Sequence, residues 1–582
     1  MTAPRDQWRY AALLVLMLFA ALLDFIGIGA IPIFVGALID SDRVFEHPRI
    51  APILESVGIA NAEQLLFWGG CAFIGFFVFR SAYQIALFYV SGRFVNRHMA
   101  RVTVDLFRAY MAAPYTFHLM RSSAESIRSL HFETNRVLLS VIRPLMQLIL
   151  STFFLVALGS LVLMAEPVLG LFTVGFLGIV GFAYLRSIRK RAASSGREQS
   201  YSTSRLLQTA QESITAFKDI RVRGKEQSFV QRIQDASTDR ARAFHFTMFA
   251  HDSAKPVIEG LGVIGIGVII YVLVSRGDST QEVAEGVVLL AAVMARLLPS
   301  MNTFSGSLVS LRSNIVSLDH LVGEFEVLRN VQTSKPSGNP IVFRESISLR
   351  DVKYSYPEAH TPSLRGINVD IQRGSSIAFT GSTGAGKTTV VDILLGLLTP
   401  QTGEVLVDGR NIADNLRSWQ DRIGYIPQTI HLFDDNIRAN IALGVPGDEI
   451  DDGRIRDVLR IAQLEAFVDG MPKGIFSEIG ERGIRLSGGQ RQRIGIARAL
   501  YHDPEVLVLD EATAAVDNTT EGLLMAALEE ARKDRTLIMI AHRLSTVRGC
   551  DKIYFMKDGL IVDAGTYEYL CEENEEFRML TI

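Results

Sequence analysis

Cysteine is nearly absent from this chain. Cys71, Cys550 and Cys571 are the only three in 582 residues. They lie far apart and none sits at metal-ligand spacing, so free thiols are expected rather than a disulfide framework or a metal cluster. An excess of either charge is missing too. The 59 Lys and Arg residues against 62 Asp and Glu leave a net charge of −3. That balance argues neither for nor against nucleic acid, and no nucleic-acid partner is expected. A cleavable leader is not evident. The first apolar run is too long for the core of a signal peptide and has no clear small-residue cleavage site, so it reads as a membrane span.

What is abundant is apolar sequence, at 48% of all residues, a high share for a wholly soluble protein. The excess lies before about residue 310. Six runs, 11–39, 65–91, 137–163, 167–187, 256–275 and 283–309, are long enough to cross a bilayer, which takes about 20 residues per helix. Charges orient them. The connection 92–136 carries Arg93, Arg97, Arg101, Arg108, Arg121, Arg128 and Arg136. The segment 186–225 carries Arg186, Arg189, Lys190, Arg191, Arg197, Arg205, Lys218, Arg221, Arg223 and Lys225. The opposite connections hold Asp40, Asp42, Glu46 and Glu55, then Glu166, then Asp278, Glu282 and Glu285. Positive charge stays on the cytoplasmic side, which places both termini inside the cell. Apolar spacing such as Val102, Leu106, Ala109 and Tyr110 continues the helical pattern beyond the spans.

Three arginines are embedded in the apolar runs: Arg80, Arg143 and Arg296. Each costs roughly 2.5–3.5 kcal/mol on insertion scales, so it needs a partner or a wet cavity. The planar guanidinium fork suits a phosphate. The competing assignment is pairing with Asp24 or Glu259, or snorkelling to an interface.

The composition changes after residue 325. The polar stretch 331–340, with Pro336, Gly338 and Pro340, reads as a linker. The expected division is a transmembrane domain over 1–325, a linker over 326–340 and an α/β domain over 341–582. In the last, β-type runs such as Ser376–Thr380 and Val506–Leu509 alternate with helical patterns, which predicts a largely parallel α/β sheet.

Gly381-Ser382-Thr383-Gly384-Ala385-Gly386-Lys387-Thr388 is a phosphate loop between a strand-like and a helix-like run. Its glycines let backbone N–H groups turn toward a phosphate. Lys387 supplies a mobile positive charge, and Thr388 a hydroxyl for Mg²⁺. Thr389 opens the helix that follows. Downstream, Val506–Leu509 ends in Asp510 and Glu511. Asp510 suits Mg²⁺, and Glu511 suits the polarisation of an attacking water. A helix-capping role for Glu511 is disfavoured by the adjacent acid. Between these motifs, Leu486-Ser487-Gly488-Gly489-Gln490 opens a helix and offers a second set of N–H groups.

Together these motifs resemble the ATP-binding cassette (ABC) transporters, and the resemblance covers nearly the whole chain. It implies an all-α six-helix transmembrane domain fused to an α/β P-loop ATPase domain, with ATP and Mg²⁺ as cofactors. Within it, Tyr356 resembles the aromatic that stacks on adenine. Gln428 resembles the residue that senses Mg²⁺ and meets the coupling helices. Glu481-Arg482-Gly483 resembles the loop that links coupling helix and signature. His542 resembles the switch on the γ-phosphate. The turns at Pro114–Ser122 and Glu212–Gly224 are then coupling helices, against the plainer alternative of solvated linkers. One ATPase domain per chain implies a homodimer whose Ser487–Gln490 segment closes on the partner's nucleotide. Ala514-Ala515-Val516-Asp517 departs from the family's usual Ser-Ala-Leu-Asp.

Fusion of the two halves implies export. The long loop 40–64, Arg80, Glu259-Gly260 and Arg296-Leu297-Leu298-Pro299-Ser300 are similar to those of lipid-linked oligosaccharide flippases. That resemblance implies a lipid-linked, anionic pyrophosphate cargo held by Arg80, Arg143, Arg296 and Glu259, and a bacterial inner membrane. An exporter of drugs or ordinary lipids is the nearest alternative. An ATP-gated channel or regulatory ATPase is another. A peptide exporter is disfavoured because no protease-like domain precedes the first span.

Overall fold

The computed structural model describes residues 4–39, 61–165, 167–275, 280–330, 338–357, 359–480, 483–510, 518–533, 535–541 and 547–579. The chain divides into two compact units. One comprises Met1–Ala113 and His118–Gln332; the other comprises Pro114–Phe117 and Thr333–Ile582.

The first unit is helical throughout. Its long helices are α1 (Pro4–Ile39), α2 (Ala62–Met111), α3 (Arg143–Ala165), α4 (Pro167–Thr215), α5 (Glu226–Asp252), α6 (Ala254–Ser275) and α7 (Thr280–Asn330). Among the described residues, segments 8–27, 63–111 and 123–160 are long and apolar enough to cross a membrane. The other three expected spans fall on α4, α6 and α7, where many side chains lie outside the described residues. Helices α2, α4 and α7 contain 50, 49 and 51 residues. At about 1.5 Å per residue they reach roughly 75 Å, far beyond the hydrocarbon core of about 30 Å. Extension of the spans past the bilayer, expected from the apolar spacing after residue 92, is thus a property of the helices themselves.

Local chemistry sets the breaks. Pro256 has no N–H to donate to the Asp252 carbonyl, and α5 ends at Asp252. Short helices Tyr115–Leu119 and Phe217–Val222 stand at the two turns singled out above. The chain then runs through Ser123–Arg128 and two π-turns, Ser129–Glu133 and Leu138–Ile142, before α3. A Cβ at Gly196 on α4 would collide with the Ser313 carbonyl of α7, so glycine sets how closely these helices pack. A buried ionic network joins the same region. Arg121 pairs with Glu324, the Tyr110 hydroxyl donates to Glu324 at 3.0 Å, and Arg128 donates to Glu133 at 2.6 Å.

The second unit has two sheets. An antiparallel sheet orders β2-β1-β4-β5, from β1 (Ser346–Tyr354), β2 (Leu364–Gln372), β4 (Thr402–Val407) and β5 (Arg410–Asn411). A six-stranded sheet orders β10-β9-β3-β8-β7-β6. Its members are β3 (Ser376–Gly381), β6 (Ile423–Ile426), β7 (Val506–Asp510), β8 (Thr536–Ile540), β9 (Lys552–Lys557) and β10 (Leu560–Gly565). Neighbours from β9 through β6 are parallel, and β10 is antiparallel to β9. Strands β3 and β8 are buried along their whole length, which explains their unbroken apolar runs. The loop after β3 and Asp510 at the end of β7 lie at the same carboxyl edge of the sheet, on either side of β8. That edge is where parallel α/β sheets bind ligands.

All three cysteines are free. Burial pushes the Cys550 thiol up to about 12, which makes it inert.

Candidate active site

The phosphate loop joins β3 to helix α8 (Lys387–Leu394). Gly381, Gly384 and Gly386 have φ of +144°, +84° and +99°, a region in which L side chains are strained. A Cβ at Gly381 would collide with the Met556 carbonyl, and one at Gly386 would lie 2.7 Å from the Ser363 carbonyl. Ala385 is buried beneath the loop, while Ser382, Thr383, Gly384 and Thr388 are exposed on its rim. The Lys387 ammonium folds back and donates to the carbonyls of Gly381 at 2.8 Å and Ser382 at 2.9 Å. It is poised over the cradle.

Tyr356 stands beside the loop. Its hydroxyl lies 3.3 Å from that of Thr389, and its ring packs edge-on against Tyr354. Asp510 ends β7 and is hydrogen-bonded by the hydroxyl of Tyr425 on β6. Gln428 follows β6 and is exposed. An exposed Thr388 hydroxyl and the Asp510 carboxylate form a hard-oxygen donor set that fits Mg²⁺. Glu511, Glu481, Arg482, His542 and Ala514–Asp517 lie outside the described residues.

The signature segment opens helix α9 (Gly488–Tyr501). Ser487 and Gln490 cap it reciprocally: the Ser487 hydroxyl accepts from the Gln490 N–H at 3.2 Å, and the Gln490 side chain accepts from the Ser487 N–H at 2.8 Å. The N–H groups of Gly488 and Gly489 remain at the mouth of the helix for a ligand. Among the described residues, no hydrogen bond or ion pair joins this segment to the phosphate loop.

Two residues escaped the sequence reading: Tyr425 and Asp392. The only signal for Asp392 was an acid inside the apolar run Val390-Val391-Asp392-Ile393-Leu394. It is 8% exposed. Burial, and then the charge of Asp510, push its carboxyl up to about 6. In an unfolded chain it would titrate near 3.9. Between about pH 4 and pH 6 the folded state keeps a proton that the unfolded state has lost, so stability falls as pH rises through that window. Above it the penalty is constant, at about 3 kcal/mol. In nucleotide-free protein, Asp392→Asn should raise the melting temperature at pH 7.5, and the gain should shrink toward pH 4. An equal gain at both pH values would contradict this.

In the helical unit, Arg80 has a partner. Its guanidinium pairs with Asp24 on α1, and Gln84 donates to the same carboxylate at 2.8 Å. Arg80 is 9% exposed, and this pairing with Asp24 is the alternative left open above. Arg143 is exposed and lines a cavity of about 520 Å³ between α1, α2 and α3. The structure does not bring Glu259 to that cavity; its carboxylate lies 4.0 Å from Lys255, one turn away. The side chain of Arg296 lies outside the described residues.

A phosphate-binding ATPase at the carboxyl edge of a parallel sheet, fused to a bundle of membrane-length helices, defines an ATP-driven membrane transporter. The chain belongs to the ABC transporter family. Residues 13–298 match the ABC transporter transmembrane region, and residues 364–514 match the ABC transporter ATPase domain. The chain is 30% identical over 525 residues to the ATP-dependent lipid A-core flippase of Methylococcus capsulatus, covering 90% of this chain and 86% of that one. It is 29% identical over 506 residues to the flippase of the same name from Ralstonia nicotianae, covering 86% and 84%. Its fold is similar to that of a bacterial Atm1-family ABC exporter with ATP bound. The TM-score is 0.78 at 22% identity, over 99% of this chain and 97% of the other.

Proposed function

We propose that the protein works as a homodimer that uses ATP hydrolysis to flip an anionic lipid across a bacterial inner membrane. The cargo is a lipid-linked oligosaccharide or a similar pyrophosphate lipid. The observation that carries this reading is the cavity around Arg143. Its lining is largely apolar, with Met17, Leu87, Phe88 and Leu150, and Asp24, Gln84, Arg143 and Gln147 add polar groups. Arg143 has no ion-pair partner among the described residues. An amphipathic cavity with an uncompensated arginine suits a lipid with an anionic head. Relatives named as lipid A-core flippases support lipid flipping in general.

In this reading Tyr356 stacks on adenine, and the phosphate loop with Lys387 holds the β- and γ-phosphates. Thr388 and Asp510 hold Mg²⁺, which neutralises phosphate charge when bound. Gln428 senses the occupied site. Glu511 orients the attacking water and His542 contacts the γ-phosphate. Gly488 and Gly489 close on the nucleotide of the partner chain. The short helices Tyr115–Leu119 and Phe217–Val222 carry the closure to the long helices. The ATPase domain and both termini are cytoplasmic.

The test is purified protein in liposomes, with fluorescent lipid-linked oligosaccharide followed between leaflets. ATP-dependent movement is expected, with Arg143→Ala slowing it at least about tenfold through loss of a charge-assisted contact. Wild-type rates in that variant would remove Arg143 from the head-group role. Robust ATPase activity without lipid movement would overturn the cargo and turn the search to drugs and ordinary lipids.

A further inference from the structure

A second cavity, of about 560 Å³, opens between the start of the third span and helices α4, α5 and α7. It shares only Leu139 with the cavity around Arg143. Its lining includes Arg136, Arg240 and His251, and contains no Asp or Glu. Neither arginine forms an ion pair among the described residues. Glu133 is the carboxylate that acts on Arg136, but it is already bonded to Arg128 at 2.6 Å. Arg240 acts on Arg136 as a like charge. His251 is turned to Asp252 at 2.9 Å.

Gln199 adds an amide to the lining. Its side chain is 8% exposed, lines the same cavity and has no hydrogen-bond partner among the described residues. The cavity therefore gathers two guanidinium forks and an amide, and no carboxylate lines it. Its edge is apolar: Phe132, Leu139, Phe244 and Met248 are 40%, 49%, 48% and 45% exposed. Arg136 directly precedes the apolar run 137–163, and His251 lies just before 256–275, so the site falls at the boundary of water and lipid.

We propose that this cavity binds the phosphate head group of an anionic membrane lipid, with Arg136 and Arg240 on the phosphate and the apolar edge against the acyl chain. Arginine forks match phosphate oxygens two at a time. The apolar edge favours a lipid over free phosphate, which has nothing to place there. The site stands apart from the transported cargo and holds whether or not the Arg143 cavity carries it.

The test uses the purified full-length protein in detergent, with dioctanoyl phosphatidic acid as probe and native mass spectrometry as readout. Binding is expected, and dioctanoylglycerol, which lacks the phosphate, should not compete. Arg240→Gln should weaken the probe about tenfold, the factor expected for one charge-assisted contact, and Arg136→Gln/Arg240→Gln further. Arg240 is exposed, so its single variant decides the matter even where the double variant fails to fold. Unchanged affinity in Arg240→Gln would overturn the site. Loss of probe in Arg143→Ala would also overturn it, by placing the lipid in the other cavity. Persistence of the probe in millimolar inorganic phosphate supports the lipid, and displacement would overturn it in favour of a soluble phosphate compound.

Discussion

Lys387→Met should lower ATP hydrolysis at least about 10²–10³-fold, the scale seen when one preorganised electrostatic contact to a reacting group is lost. The side chain is 5% exposed and its ammonium is held by the carbonyls of Gly381 and Ser382. Those bonds hold the ammonium inside the loop. A γ-phosphate entering the cradle offers the ammonium full negative charge, which draws the lysine toward the nucleotide. Methionine fills similar volume and packs in the same channel, so the loop should persist. The two carbonyls would lose their donor, which costs about 1–3 kcal/mol and leaves the domain folded. The prediction is therefore a split: a small change in melting temperature beside a near-total loss of phosphate release. Turnover within tenfold of the wild type would show that Lys387 does not act on the phosphates.

The same loop shows why part of this protein is legible from residues alone. Its function rests on backbone N–H groups, and only glycine reaches the φ values at 381, 384 and 386. A requirement imposed by the backbone leaves its mark in the residues themselves. The long helices were legible for a related reason: their apolar spacing is local. What escaped depends on distant pairing. Arg80 and Asp24 are 56 residues apart and meet only because α1 packs against α2. Tyr425 meets Asp510 because β6 runs beside β7 in a register that sets Ile426 against Leu509. Asp392 became notable only when the sheet brought Asp510 near it. Gly196 looks like any helical glycine until α7 lies against it. Periodicity reports which face is apolar, but not which residue of another helix lies there.

The strongest of these distant pairings should also be the most damaging to break. Glu324 on α7 has a side chain 5% exposed and lies 203 residues from Arg121, whose side chain is 14% exposed. One guanidinium nitrogen donates to Glu324 Oε2 at 2.7 Å, a second bonds Oε1, and the Tyr110 hydroxyl donates to Oε2 at 3.0 Å. Glu324→Ala removes the acceptor for all three and takes that counter-charge from Arg121, while the more distant Glu125 stays at 3.4 Å. Breaking one side of such a pair typically costs about 3–5 kcal/mol. At about 2–4 °C per kcal/mol for a unit of a few hundred residues, the melting temperature should fall by about 10 °C. Replacing both partners, as in Arg121→Met/Glu324→Leu, should recover much of that loss, because the cost lies in the stranded charge rather than in the missing bond. Thermal unfolding of the two variants separates these terms. If the double variant melts as low as Glu324→Ala, the pair itself holds the end of α2 to α7; if Glu324→Ala melts within 2 °C of the wild type, water reaches Arg121 and the network is not buried in the folded protein.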